Sequence, residues 1–294
     1  MDHGDVRYLA AKRSVDDRAL SSRVRDRFLE ALPSAPRILE AGCGTGVTVP
    51  RLRSWGVTAG TYRGVDRNES VVARARQARA AELAADGAAV RRTERGFEVG
   101  EFAAAFEVGD ALPAFGAETD ADAVLAQGFL DLVPLADALA AFEAALAPGG
   151  LLYLPITFDG GTIFQPDHPA DRAVERAYHR AIDARPGRDS HAGRHAADRL
   201  RTRDGDLLGM AASDWVVRPR DGNYPGAERQ FLARILEFVE AALADDEGTA
   251  ASVGTGDAVA EFPDWLATRR RQLAAGELTY VAHQYDLLYR TPGA

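Results

Sequence analysis

The feature that most constrains the fold is the glycine-rich segment ILEAGCGTGV at residues 38–47. A short apolar run beginning at Arg37 leads into this segment, and residues 47–55 after it have a pattern typical of a helix. Glycines at such a junction allow a tight turn that a ligand can approach closely, and the first turn of the next helix presents free amides to it. The segment therefore predicts a strand, a ligand-binding turn and a helix, in that order.

The spacing of the glycines indicates which ligand the turn accepts. Gly42, Gly44 and Gly46 form G-x-G-x-G, whereas the dinucleotide fingerprint G-x-G-x-x-G would need a small residue at Val47. Glu40 precedes the first glycine, and a carboxylate there suits a zwitterionic amino-acid ligand better than a pyrophosphate, which it would repel. The spacing thus disfavours a nicotinamide-dependent oxidoreductase.

Strand-like and helix-like segments alternate five times between Arg37 and Phe158. Further strands are expected at 61–66, 104–108, 121–126 and 151–158, and helices at 14–32, 69–86 and 134–146. This alternation predicts parallel strands joined by right-handed crossovers, which is a doubly wound α/β sheet.

Four motifs in the correct order resemble those of class I S-adenosylmethionine-dependent methyltransferases, and the resemblance covers residues 37–158. They are ILEAGCGTG at 38–46, the strand-end acid Asp66, VGDAL at 108–112 and LAPGGLLYL at 146–154. The resemblance implies a Rossmann-like, mostly parallel sheet of seven strands, with strands at 207–217 and 279–290 as its antiparallel terminal pair. It also implies methyl transfer as the activity and S-adenosyl-L-methionine as the cofactor.

The same resemblance implies residues for cofactor binding. The glycine loop would hold the methionine part with Glu40 beside it, and Asp66 would bind both ribose hydroxyls. Asp110 would lie near the adenine amino group with Ala111 supplying backbone, while Gln127 would face the reacting methyl group. The candidate cofactor-binding residues are Tyr8, Arg13, Glu40, Gly42, Cys43, Gly44, Gly46, Asp66, Arg67, Asp110, Ala111 and Gln127.

Segments outside the glycine-loop core are expected to cover the active site. Residues 159–205 and 223–276 are predicted to form a helical cap over the acceptor, and such caps enclose small molecules and exclude water. Tyr8 and Arg13 would close over the cofactor, with Arg13 meeting its carboxylate. The predicted division is 1–33 for an N-terminal helical cap segment, 34–158 for the cofactor-binding core and 159–294 for the acceptor cap with the last two core strands.

The acceptor side carries one weak catalytic signal, the pair His191 and His195, which share one face if the segment is helical. One interpretation is a general base for the acceptor, since imidazole titrates near neutral pH. A second is a metal pair, but no third ligand has recognisable spacing, so no metal site is predicted. The third is a solvated helix start capped by Asp189 or Ser190. The two histidines are the catalytic candidates.

Composition limits the partners and the location of the chain. The formal net charge of −9 disfavours nucleic acid as a partner, because phosphate backbones attract basic surfaces. No apolar stretch approaches the roughly 18 residues of a membrane span. Cys43 is the single cysteine, so no intramolecular disulfide can form. A cytoplasmic protein that acts on a small molecule is expected.

Two alternatives to a small-molecule methyltransferase remain at this stage. A methyltransferase acting on protein or RNA would show a basic surface near the cofactor, built from 185–203 and 269–271. A non-catalytic binding protein would keep the fold without the activity. The sequence leaves open whether the acceptor atom is oxygen, nitrogen or carbon, and leaves open the oligomeric state.

Overall fold

A computed structural model describes residues 5–116, 118, 120–246 and 256–293. The strands of these residues are β1 (Arg37–Ala41), β2 (Ala59–Asp66), β3 (Val90–Arg92), β4 (Gly96–Val99), β5 (Glu101–Val108), β6 (Ala121–Leu125), β7 (Leu146–Gln165), β8 (Asp206–Ala212), β9 (Trp215–Val217) and β10 (Thr279–Arg290). The helices are α1 (Val6–Ala19), α2 (Ser22–Ala31), α3 (Thr48–Ser54), α4 (Glu69–Ala85), α5 (Ala111–Phe115), α6 (Leu135–Ala145), α7 (Asp171–Asp183), α8 (Ala192–Arg201), α9 (Glu228–Asp246) and α10 (Gly256–Ala275).

All of these strands belong to one sheet of order β3-β4-β5-β2-β1-β6-β7-β10-β8, with β9 paired to β10. The five central strands from β5 to β7 are parallel, and β10 runs antiparallel between β7 and β8. The predicted Rossmann-like α/β fold is confirmed. The strand order places the switch in direction at β1, with β2 on one side and β6 on the other, where such sheets bind ligands.

The sheet has ten strands rather than the seven expected. The additional strands β3 and β4 form an antiparallel edge of the sheet beside β5. Both strands are short and their apolar residues lie next to charged ones, so the sequence pattern did not indicate them. The strand expected at 207–217 is two strands. Asp214 separates them because its carboxylate accepts hydrogen bonds from His283 Nδ1 (2.8 Å) and from the Gln284 amide (3.3 Å).

The helix expected at 14–32 is also divided, into α1 and α2. Ser21 ends the first run because it is the N-cap of α2, its hydroxyl accepting from the Val24 amide at 3.4 Å. The Ser21 amide in turn donates to Asp286 Oδ2 at 2.8 Å, which fixes the break against β10. The division allows α1 to pack against the cap helices while α2 packs on the sheet.

Three apolar cores hold these elements together. One face of the sheet packs against α5, α6 and α8, and the other against α2, α3 and α4. The third core lies among α1, α7, α9 and α10 and includes residues of β7, β9 and β10. Arg269 is fully buried in this third core, where it contacts Asp171 and lies over the rings of Phe164 and Trp265.

The third core corresponds to the expected cap, except that α8 packs on the sheet instead. The three-part division of the chain stays a prediction. Across the described parts of the chain, no helix combines the length and the apolar character needed to cross a bilayer.

Candidate active site

The loops that follow β1, β2, β5 and β6 meet at the carboxyl edge of the parallel strands. They enclose one side of a cavity of about 370 Å³. The cap helices α1, α7 and α9 close the other side. The cavity therefore lies where an open α/β sheet is expected to bind its ligand.

The glycine loop needs glycine at all three positions. Gly42, Gly44 and Gly46 have φ values of +67°, +50° and +72°, a region that other residues rarely adopt. A Cβ on Gly42 would stand 2.6 Å from the Phe129 ring, and one on Gly46 would stand 2.5 Å from Phe106. Gly44 has more room and lines the cavity together with Gly42. The loop thus presents bare backbone to a ligand at Gly44.

Asp66 connects the second strand to this loop. Its Oδ2 accepts from the Gly44 amide at 2.9 Å, and its Oδ1 accepts from the Asn68 amide at 2.9 Å. Each carboxylate oxygen can accept a further hydrogen bond, and the side chain lines the cavity. Asp66 therefore shapes the loop and still has acceptor capacity for a ligand.

Asp110, Ala111 and Arg67 lie on the same wall. Asp110 is the N-cap of α5, where one oxygen accepts from the Leu112 amide at 3.2 Å. The other oxygen pairs with the exposed Arg67 guanidinium at 2.5 Å. The expected cofactor wall of Asp66, Arg67, Asp110 and Ala111 is thus brought together in space.

Glu40 and the loop residues Cys43 and Gly46 do not line the cavity, and Glu40 lies beneath the loop. The Glu40 carboxylate is fully buried and accepts hydrogen bonds from Thr48 Oγ1 at 2.7 Å and from the Tyr62 hydroxyl. Burial raises the pKa of Glu40 to about 7, and the two hydrogen bonds oppose that shift. Glu40 therefore ties the loop to α3 and β2 from below.

Gln127 follows β6 and is held by a buried polar network. Its Nε2 donates to Asp16 Oδ2 at 2.9 Å, and its Oε1 accepts from Arg51 Nη1 at 2.7 Å. Asp16 also accepts from Trp215 Nε1 at 2.9 Å and faces Lys12 Nζ at 3.5 Å. Burial raises the pKa of Asp16, and the Lys12 ammonium opposes the rise. The network fixes the amide of Gln127 at the cavity wall.

Of the two N-terminal candidates, Tyr8 lines the cavity and Arg13 does not. Arg13 points away to Glu82, at 2.7 Å, and to Asp17, at 3.8 Å. Lys12 takes the place on the cavity wall because it lies one helical turn after Tyr8 on α1. The i, i+4 spacing of Tyr8 and Lys12 was the signal that could have identified Lys12.

The structure does not bring the histidine candidates to the cavity. His195 is half exposed, and its Nδ1 is 2.7 Å from Asp189 Oδ2. His191 lies at the start of α8, where its Nδ1 is 3.0 Å from the Ser190 hydroxyl. No metal-binding group of three or more His, Cys, Asp or Glu side chains occurs in the described ranges. A catalytic role for His191 and His195 stays a prediction that the cavity geometry does not support.

The cap side of the cavity carries residues that the sequence pattern did not reveal. Its aromatic members include Tyr178, Phe238 and Tyr280. They come from separate elements that are distant in the chain, so no local pattern connects them. Within α7, Tyr178 and Ile182 share a face one turn apart, and Arg185 continues it beyond the helix end.

Ile156 marks a strained point at the floor of the cavity. It has a φ of +55° although it is β-branched, which makes it a backbone outlier. Its amide donates to Asp286 Oδ1 at 2.8 Å, and this buried carboxylate also holds the Ser21 amide. The contact redirects β7 at the cavity, and strained positions of this kind cluster at functional sites.

A family model described as a methyltransferase domain matches residues 12–186, more than half of the chain. The chain belongs to this methyltransferase family. The predicted enzyme class, an S-adenosylmethionine-dependent methyltransferase, and its cofactor are therefore confirmed. No curated protein matches this methyltransferase in sequence.

Solved structures are similar to most of the methyltransferase. A Bacillus halodurans protein assigned as a methyltransferase is 14% identical, with a TM-score of 0.51 over 92% of this chain and 100% of the other. A Thiobacillus denitrificans S-adenosylmethionine-dependent methyltransferase, in complex with S-adenosyl-L-homocysteine, is 17% identical, with a TM-score of 0.46 over 92% of each chain. The first of these supports the Rossmann-like fold.

Proposed function

We propose that this methyltransferase transfers a methyl group from S-adenosylmethionine to an oxygen, nitrogen or carbon atom of a small molecule enclosed under the cap. The observation that carries the proposal is the continuity of one cavity. The cavity runs from Gly44, Asp66 and Asp110 at the strand ends to the aromatic wall at Tyr178 and Phe238. A cytoplasmic location belongs to the same proposal.

The cavity residues at the strand ends fit S-adenosylmethionine by their chemistry. Asp66 would hold the paired ribose hydroxyls, which are donors that one carboxylate accepts well. Asp110 and the Ala111 backbone would meet the adenine edge, and the bare backbone at Gly44 would receive the amino-acid part. A side chain at Gly44 would fill part of this cradle. When bound, S-adenosylmethionine supplies a methyl carbon on a positively charged sulfur that departs with the bonding electron pair.

The remaining residues position the acceptor and exclude water. Gln127 is fixed between Asp16 and Arg51. Its amide therefore offers a preorganised polar contact between the cofactor side and the acceptor side of the cavity. The aromatic rings of the cap line the acceptor side of the cavity and would exclude water from it once an acceptor is bound. Positioning of this kind supplies much of the rate of a displacement reaction.

Labelled transfer tests the proposal. The protein is incubated with methyl-tritiated S-adenosylmethionine and a metabolite-containing cell extract, which is then separated by size into small molecules and macromolecules. Label is expected in the small-molecule fraction. Label confined to protein or RNA would contradict a small-molecule acceptor, because the cap would then have to open for a large partner.

A matched control uses Gly44→Val, which places a side chain in the cofactor cradle. This variant is expected to abolish labelling of either fraction and to lose binding of S-adenosylhomocysteine in calorimetry. Full labelling by this variant would contradict the assignment of the glycine loop to the cofactor.

A further inference from the structure

The acceptor side of the cavity contains a carboxylate, that of Asp131, with acceptor capacity that no other described residue uses. Asp131 lies in the short helical turn Leu130–Leu132 after β6, and its side chain lines the cavity. Among the described residues, no other residue donates a hydrogen bond to its side chain. Burial raises the pKa of Asp131, and the charge of Arg188, the residue's own backbone amide and the charge of Lys12 oppose the rise only in part. Its own backbone amide donates to the carboxylate, which keeps further acceptor capacity toward the cavity.

Two neighbouring groups share this condition. The Tyr178 hydroxyl and the Arg188 guanidinium line the same cavity, and neither side chain makes a hydrogen bond within the described ranges. Burial lowers the pKa of Arg188, whereas the Asp131 charge opposes that change. Burial also raises the pKa of Tyr178, with Asp131 adding to the effect. Asp131 is thus the common neighbour of two further polar groups that face the cavity.

The surroundings of Asp131 are otherwise apolar and aromatic. Phe129 precedes it by two residues on the cavity wall, and Tyr8 and Phe238 reach the cavity from the cap. The Tyr8 ring packs edge-on against the Phe238 ring, with their centroids 5.1 Å apart. Rings of this kind favour a flat apolar ligand that stacks on them.

We propose that Asp131 binds the acceptor through a hydroxyl or amine hydrogen, and that the acceptor is a flat, ring-bearing molecule with such a donor. This inference rests on the proposed function, because it identifies the class of molecule that receives the methyl group. A donor from the acceptor uses the acceptor capacity that the other described residues leave free on this carboxylate. Tyr178 lies on the same wall and can hydrogen-bond to the same part of the acceptor, while the rings enclose its apolar body.

The test compares two fluorescent probes that differ in one hydrogen-bond donor. 2-Naphthol carries a hydroxyl, and 2-methoxynaphthalene has the same ring system with that hydrogen replaced by a methyl group. Both are titrated into the protein saturated with S-adenosylhomocysteine, and binding is followed by probe anisotropy. The protein is expected to bind 2-naphthol about tenfold more tightly, as for a hydrogen bond to a charged group.

Asp131→Asn is expected to reduce this preference to less than about threefold, since the amide is uncharged. Its melting temperature is expected to change little, because asparagine keeps the size of the side chain and no other described residue donates a hydrogen bond to the carboxylate. The control Asp137→Asn changes an exposed aspartate on α6 and is expected to keep the tenfold preference.

Three results would overturn the inference: equal binding of the two probes, binding of neither probe, or an unchanged preference in Asp131→Asn. A lower melting temperature in that variant would indicate that Asp131 has a structural role instead. The proposed function fails separately, because calorimetry of S-adenosylhomocysteine alone precedes the probe titrations. Loss of that binding would contradict the methyltransferase site, whereas intact binding without probe preference would contradict only the role of Asp131.

Discussion

Replacing Glu40 with glutamine is expected to change how the stability of the protein depends on pH. Glu40 is fully buried, and burial raises its pKa to about 7. In an unfolded chain the pKa of a glutamate is about 4.3. Between these values the folded state binds more protons than the unfolded state, so the free energy of unfolding falls as pH rises.

The size of this effect follows from the two pKa values. Each pH unit between them lowers the free energy of unfolding by up to about 1.4 kcal/mol. Integrated from pH 5 to pH 8, the loss in the wild-type protein is roughly 2–3 kcal/mol. Glutamine has no proton to lose and can still hydrogen-bond with Thr48 and Tyr62. Relative to wild type, the free energy of unfolding of Glu40→Gln should therefore gain roughly 2–3 kcal/mol over this pH range.

Urea denaturation at pH 5, 6, 7 and 8 measures the difference between the two proteins. Other buried carboxylates such as Asp16 and Asp286 titrate in both, so their contributions cancel in the difference. The control is Glu107→Gln, because the Arg63 hydrogen bond lowers the pKa of Glu107 and puts its titration below this range. A difference between Glu40→Gln and wild type that does not change with pH would refute the reasoning, as would an equal change in the control.

Other predictions address the cofactor loop and the histidines. Asp66→Ala is expected to weaken S-adenosylhomocysteine binding at least about tenfold in calorimetry, because ribose hydroxyls would lose a charged acceptor; unchanged affinity would exclude Asp66 from the cofactor site. Gly44→Val should lose cofactor binding and lower the melting temperature, because a φ of +50° strains a β-branched residue, whereas Gly46→Val should lower it further because its side chain would also collide with Phe106; equal effects of the two variants in thermal denaturation would contradict this distinction. His195→Ala should leave cofactor affinity and labelled methyl transfer unchanged, since the ring lies outside the cavity wall and is half exposed; a large loss of transfer would restore its predicted role as a base.

The cofactor side of this protein was open to prediction because its determinants are local in the chain. A strand, a turn with left-handed glycines and a helix start follow one another within residues 38–54, and each is set by backbone sterics and hydrogen bonds over a few residues. Asp66 and Asp110 likewise stand at strand ends that their own segments define. The parallel order of the strands then brings these two residues to one edge without further information.

What the local pattern could not supply is the direction of each side chain after packing. Arg13 turns to Glu82, and Lys12 turns to the cavity, although both lie on the same helix turn. Glu40 is buried against Thr48 and Tyr62, a set of partners known only once β1 and β2 are paired.

The acceptor side depends on tertiary structure throughout. Asp131 follows β6, Tyr178 lies on α7 and Phe238 lies on α9, so they meet only through the packing of the cap on the sheet. The packing of α8 on the sheet leaves His191 and His195 outside the cavity wall. The spacing of the two histidines in the sequence could not reveal this. Sequence determined the cofactor loop because short-range backbone geometry is encoded locally. Only the tertiary structure decided the acceptor pocket, because burial and side-chain contacts arise between residues far apart in the chain.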